Sequence, residues 1–182
     1  AGNDTINNHQ GGSWDMSGRV SSFGAGNDNF CNMGFLVLKD SRFDFGDGSN
    51  GFSNTGTIRV TGANLIDMGA TGSARFTNAG LLDFTNGKAG DSLAIAGHFG
   101  GVGNINLDVD LTAGVGDWLS VSGVAATGTQ QKLNIALLDG LPSSDSLNQP
   151  LQLVQVAGNS NPNAFVAGQV LGISPADFLK LD

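Results

Sequence analysis

Glutamate and tyrosine are missing altogether from this 182-residue chain, and every one of its 16 acidic residues is aspartate. Cysteine occurs once, proline four times, and lysine plus arginine eight times. Each scarcity excludes something. The lone Cys31 rules out an internal disulfide framework. Its neighbours Phe30 and Asn32 offer no basic group to activate the thiol, which therefore reads as inert. With so little proline, the 29 glycines make neither a collagen nor a proline-rich linker. A net charge of −8 argues against nucleic acid or an anionic membrane as a partner. No apolar run is long enough to cross a bilayer as a helix. Ala1 opens in a turn-like stretch with no signal peptide, so the chain is expected to be part of a longer one.

What is abundant is turn chemistry. Gly, Asn, Asp and Ser favour turns, while the good helix formers Glu, Lys and Arg are absent or few. This composition predicts short strands joined by tight turns. A repeat organises them. "FCNMGFLVL" (30–38), "FSNTGTIRV" (52–60) and "FTNAGLLDF" (76–84) share Phe-x-Asn-x-Gly followed by an apolar-rich run. "AGNDTINN" (1–8) aligns with "AGNDNFCN" (25–32), placing Ile6 with Phe30 and Asn8 with Asn32. "FGGVG" (99–103) keeps the ring and the last glycine, with Gly101 in place of Asn, and "VAATG" (124–128) keeps an apolar residue and the glycine. The steps from Ile6 through Phe30, Phe52, Phe76 and Phe99 to Val124 are 24, 22, 24, 23 and 25 residues.

Between the turns, apolar residues alternate: Ile105, Leu107, Val109 and Leu111, then Leu133, Ile135 and Leu137. A period of two is a strand with one buried face. Short strands recurring every 22–26 residues predict an all-β fold, a single-stranded right-handed parallel β-helix of about seven coils. The phenylalanines then form one internal column, each worth roughly 1.5–3 kcal/mol on burial. Asn8, Asn32, Asn54 and Asn78 are expected at corners, in the left-handed conformation that asparagine tolerates, with their amides bonded coil to coil. Regular coils should occupy 1–88 and a less regular continuation of the same rod 89–182.

"GDSL" (90–93) invites an esterase reading with Ser92 as nucleophile. "GDSLAIAG" (90–97) is, however, matched by "GDWLSVSG" (116–123), which puts Trp118 at the serine's place. A serine nucleophile also needs a histidine base and a carboxylate to orient it. Only His9 and His98 exist, and neither has Asp three residues before it. Ser92 reads as a turn residue and His98 as a corner residue.

From Gly90 onward the order of features resembles the C-terminal part of an autotransporter passenger domain. These features are the Gly-Asp-x-Leu-x-Ile-x-Gly stretch 90–97, the aromatic and glycine corner 99–103, and the long alternating strand 104–111. The second Gly-Asp coil 116–123, "PLQLVQVAG" (150–158) and the closing "AFVAGQVLGISPADFLKLD" (164–182) complete the series. Phe178 stands where that family often has tyrosine. The resemblance implies a bacterial cell-surface or secreted protein exported through periplasm and outer membrane. It also implies a C-terminal outer-membrane β-barrel of the parent chain as partner, and adhesion to a host surface or self-association by the parent. The 89–182 region would serve as an autochaperone, folding first and templating upstream coils.

Two alternatives rest on other residues. "KDSRFDFGDG" (39–48) gathers Asp40, Asp44 and Asp47 with Lys39 and Arg42, as a β-helical polysaccharide-degrading enzyme would. "GNDTI" (2–6) and "GNDNF" (26–30) match the core of calcium-binding RTX nonapeptides, although the copies stand 24 residues apart rather than in tandem. Asp108 and Asp110 alternate with apolar residues and are expected on a solvent face. The loop "GLPSSDSLNQP" (140–150) is expected to cover an end of the tube. No catalytic, cofactor-binding or metal-ligating residue is assigned.

Overall fold

The computed structural model describes residues 2–69, 72–139 and 150–171, and among these there is no helix. The chain winds as a parallel β-solenoid. The first coil comprises β1 (Thr5–Asn8), β2 (Ser13–Asp15) and β3 (Val20–Ser22). The second is β4 (Asn29–Asn32), β5 (Phe35–Lys39) and β6 (Arg42–Asp44), and the third β7 (Gly51–Asn54), β8 (Thr57–Thr61) and β9 (Ala63–Asp67). The fourth is β10 (Arg75–Asn78), β11 (Leu81–Asp83) and β12 (Ser92–Ala96). After it come β13 (His98–Gly100), β14 (Val102–Asp110), the short β15 (Val115–Gly116) and β16 (Trp118–Val121). A last partial turn holds β17 (Gln130–Leu137), β18 (Val154–Val156) and β19 (Phe165–Leu171).

Strands stack into three sheets, in the orders β1-β4-β7-β10-β13, β2-β5-β8-β11-β14-β17-β19 and β3-β6-β9-β12-β16-β18. The stack thus makes about five complete turns, fewer than the seven expected, because the phenylalanine-led sheet stops at β13. Beyond it, among the described residues, only the bridge Phe99–Ala125 continues that face. At ~4.8 Å per coil the stack is roughly 25 Å tall.

The registers follow the sequence repeat. Ile6, Phe30, Phe52, Phe76 and Phe99 are direct partners along the first sheet. The rings of Phe30, Phe52 and Phe76 lie 4.9 Å apart, and Phe76 and Phe99 5.7 Å apart. The column ends on Ala125, which is buried, and not on Val124 as the spacing suggested. Phe165 fills the space left by that alanine, stacking on Phe99 at 5.8 Å. Two further inward columns close the tube. One runs Trp14, Leu36, Ile58, Leu82, Ile105 and Leu133; the other Phe43, Ile66, Ile95, Val121 and Val156. Period-two alternation puts these side chains inside and their neighbours outside.

Candidate functional site

The polar interior is built from one residue per coil. Asn8 Nδ2 donates to Asn32 Oδ1 at 2.7 Å, Asn32 to Asn54 at 2.7 Å, and Asn54 to Asn78 at 2.8 Å. Each amide also bonds the backbone where the next strand of its neighbour begins, as Asn54 Nδ2 does to Leu81 O at 3.2 Å. None of these asparagines is left-handed; among the described residues Asp40, with φ of 49°, is the only non-glycine that is. Their role is the buried hydrogen-bond ladder rather than corner geometry. At the next rung the chain has Gly101, with φ of +96°. Gln131 reaches into that gap: Asn78 Nδ2 donates to Gln131 Oε1 at 2.7 Å, and Gln131 Nε2 donates to Asn78 O and Gly101 O. Gln131 is fully buried and lies 53 residues from its partner, so no fixed period announced it.

Ser92 is paired in register with Trp118, as the internal alignment required. It opens strand β12 instead of lying within the turn. His98 offers it no base. Val124 N–H donates to His98 Nδ1 at 3.1 Å, so the other nitrogen, Nε2, carries the hydrogen it gives to Gly72 O at 3.0 Å. Both ring nitrogens are thereby spent on the backbone of neighbouring coils.

The 39–48 cluster does not converge. Arg42 faces Asp44 at 3.4 Å and Asp67, one coil on, at 2.9 Å; Asp44 and Asp67 are register partners. Asp40 Oδ1 accepts the Ala63 amide, and Asp47 contributes its carbonyl to Gly26 N–H. Asp67 lies outside the cluster read from the sequence, since a contact one coil away appears only when the repeat register is applied. Cys31 is half-buried in a shallow hollow on the first sheet with Asn29, Ser53, Arg75 and Thr77.

Asp108 corrects the solvent-face expectation. It points away from the tube but is 1% exposed, because the 86–91 loop covers it. Its Oδ2 accepts the amides of Asn86, Gly87 and Lys88 at 2.8, 2.8 and 3.2 Å. Asp110 is half-buried and caps its own turn through Ala113 N. Beside Asp108 lies the fully buried Asp117, whose Oδ1 accepts Gly90 and Asp91 amides and whose Oδ2 accepts Asp108 N–H. Burial pushes the Asp117 carboxyl up to about 6, against the pull of its amide hydrogen bonds. On the surface, the Thr112 hydroxyl and amide hold Asp139 below the usual carboxylate range, and Ser17 does the same for Asp15. Among the described residues no three His, Cys, Asp or Glu side chains converge as a metal cluster. The 140–149 stretch of the end-covering loop and Phe178 lie outside the described residues.

Against family models, characterised proteins and solved structures, the chain gave no match.

Proposed function

We propose that this β-solenoid is a non-catalytic, structural part of a bacterial autotransporter passenger: a rod whose C-terminal coils nucleate the folding of the coils before them. The observation that carries the reading is the pair of reaches across the last turns, Gln131 to Asn78 and Phe165 to Phe99. A coil of a solenoid buries its polar and apolar interior only against a folded neighbour, so starting the stack is the unfavourable step. A segment that clasps itself over two turns supplies such a start. The long paired strands β14 and β17, in register from Val102–Gln130 to Val109–Leu137, support the same role.

The absence of chemistry in this reading is supported by the best enzymatic candidate, Arg42. It is an always-charged guanidinium committed to two carboxylates, poorly suited to abstract a proton. Export to the cell surface, an outer-membrane barrel on the parent chain, and adhesion or self-association follow from the resemblance of residues 90–182. Sequencing the parent gene past Asp182 tests that directly. About 250–300 residues of alternating ~10-residue strands would identify the barrel. A stop codon or tandem calcium-binding nonamers would remove the autotransporter role.

A further inference from the structure

One buried carboxylate, that of Asp28, has an oxygen without a partner. Asp4, Asp28 and Asn50 occupy the same place in successive coils, one residue before the first-sheet strands. Their bonds repeat: Asp4 N–H donates to Asp28 Oδ1 at 2.7 Å, and Asp28 N–H donates to Asn50 Oδ1 at 2.9 Å. The second atoms of the two side chains are therefore equivalent as well. In Asn50 that atom is Nδ2, and it donates to the carbonyls of Gly46 at 3.2 Å and Met68 at 3.0 Å. One coil earlier the same positions are held by Gly24 and Phe45. This follows from Ser22 pairing with Asp44, and Asp44 with Asp67, immediately before these residues.

In Asp28 the equivalent atom is Oδ2. The register sets this oxygen toward two carbonyl oxygens, where its neighbour has an amide donor. Asp28 is 0% exposed, and its Oδ2 has no hydrogen-bond partner. None of the ion pairs formed among the described residues involves it. A buried carboxylate oxygen without a donor, set toward two carbonyl oxygens, is an arrangement that repels unless positive charge joins it, and the exposed Gly24 leaves the place open to ions from solvent. Carboxylate and backbone carbonyl oxygens are the ligands that hard cations select.

We infer that Asp28 Oδ2, with the carbonyls of Gly24 and Phe45, holds a hard cation between the first two coils. The ion takes the place of the two amide hydrogens that Asn50 supplies one coil on. The site differs from an RTX roll, which shares aspartates between tandem nonapeptides. It is independent of the export role proposed above.

Thermal unfolding tests it. The chain is first freed of metal with a chelator and exchanged into a tetramethylammonium buffer, whose cation is too large to enter. Calcium chloride or sodium chloride is then titrated at constant ionic strength. At a hundredfold excess over its Kd, the fitting ion should raise Tm by roughly 5–10 °C. Titration calorimetry of the unmodified chain should give one ion per molecule. A response to calcium at low concentration assigns a divalent site, and a response to sodium alone a monovalent one. Asp28→Asn, which copies Asn50, should melt above the wild type in tetramethylammonium and respond to neither ion. Asp4→Asn should keep the response. The inference is overturned if neither ion shifts the wild type, or if the shift survives in D28N.

Discussion

Coils one to four and the turns after His98 solve the same problem in different ways. In the early coils the two main interior rows are each served by the next residue in the same row: phenylalanine on phenylalanine, asparagine on asparagine. After His98 the other two inward columns continue, but the phenylalanine and asparagine rows run out of suitable residues, and groups from farther along the chain complete them. Gln131 supplies the rung that Gly101 lacks, Phe165 the ring that Ala125 lacks, and two buried aspartates gather the amides of a loop. The lesson concerns cooperativity. A row of identical contacts can lengthen by repetition, whereas contacts that skip a turn tie several segments into one unit.

The largest effect is expected from breaking the regular rows. Phe76 is fully buried between Phe52 and Phe99. Phe76→Asp loses the packing of a ring and buries an unpaired charge, a combination worth more than about 4 kcal/mol. Circular dichroism should show loss of the cooperative transition. A wild-type melting temperature would mean that the stacking register is wrong.

Next comes a direct comparison of rungs. Asn54→Ala removes three hydrogen bonds of the regular ladder and should cost about 2–4 kcal/mol. Gln131→Ala removes three as well, and its cost should be equal, although its partner stands 53 residues away. A double-mutant cycle between Asn78→Ala and Gln131→Ala should return at least about 1 kcal/mol of coupling by urea unfolding. Zero coupling would mean that the skipped rung is decorative, and the distinction between the two regions would fail.

How legible these features were depends on whether a residue repeats its neighbours' environment. Phe30, Phe52 and Phe76 were readable because the same letter meets the same surroundings in each coil. Asn32 and Asn54 were readable for their ladder but not for their backbone, since the corner geometry they suggested is carried elsewhere. Gln131 was hidden because it breaks the period. Asp108 misled because alternation fixes only which side of a strand a residue takes; the 86–91 loop then turned that outer side into interior. Asp28 stood in the sequence only within the GNDNF match to a nonapeptide core; its unpaired oxygen needed Asn50 beside it in register.

Asp117, in the turns after His98, gives the fold a pH dependence. Asp117 has an ordinary value of 3.8 when exposed and about 6 in the fold. Between these values the folded chain keeps a proton that the unfolded chain has released, so stability is greater near pH 4 and is lost as pH rises through about 6. The expected change from this group is about 1–3 kcal/mol. Asp117→Asn should flatten that part of the urea midpoint against pH curve. It should also be weaker at pH 4, because an amide nitrogen would meet the Asp108 N–H that Oδ2 now accepts. A slope unchanged in D117N would move the titration to another group.

The smallest effect separates surface from interior within the regular coils themselves. Arg42 bonds two carboxylates, yet its side chain is 41% exposed and those of Asp44 and Asp67 are 36% and 31% exposed. Water screens such pairs, and Arg42→Gln should cost no more than about 1 kcal/mol, less still in 1 M salt. Arg59 has one carboxylate partner, Asp83, whose side chain is only 11% exposed, and its guanidinium also lies over the Phe35 ring at 5.5 Å. Arg59→Gln leaves that carboxylate half-stranded and should cost more than Arg42→Gln despite breaking fewer bonds. Chemical denaturation of both variants at low and high salt gives the order. If R42Q proved the more damaging, the outer charge network would be holding the early coils together, and the buried rows would have to share the role assigned to them.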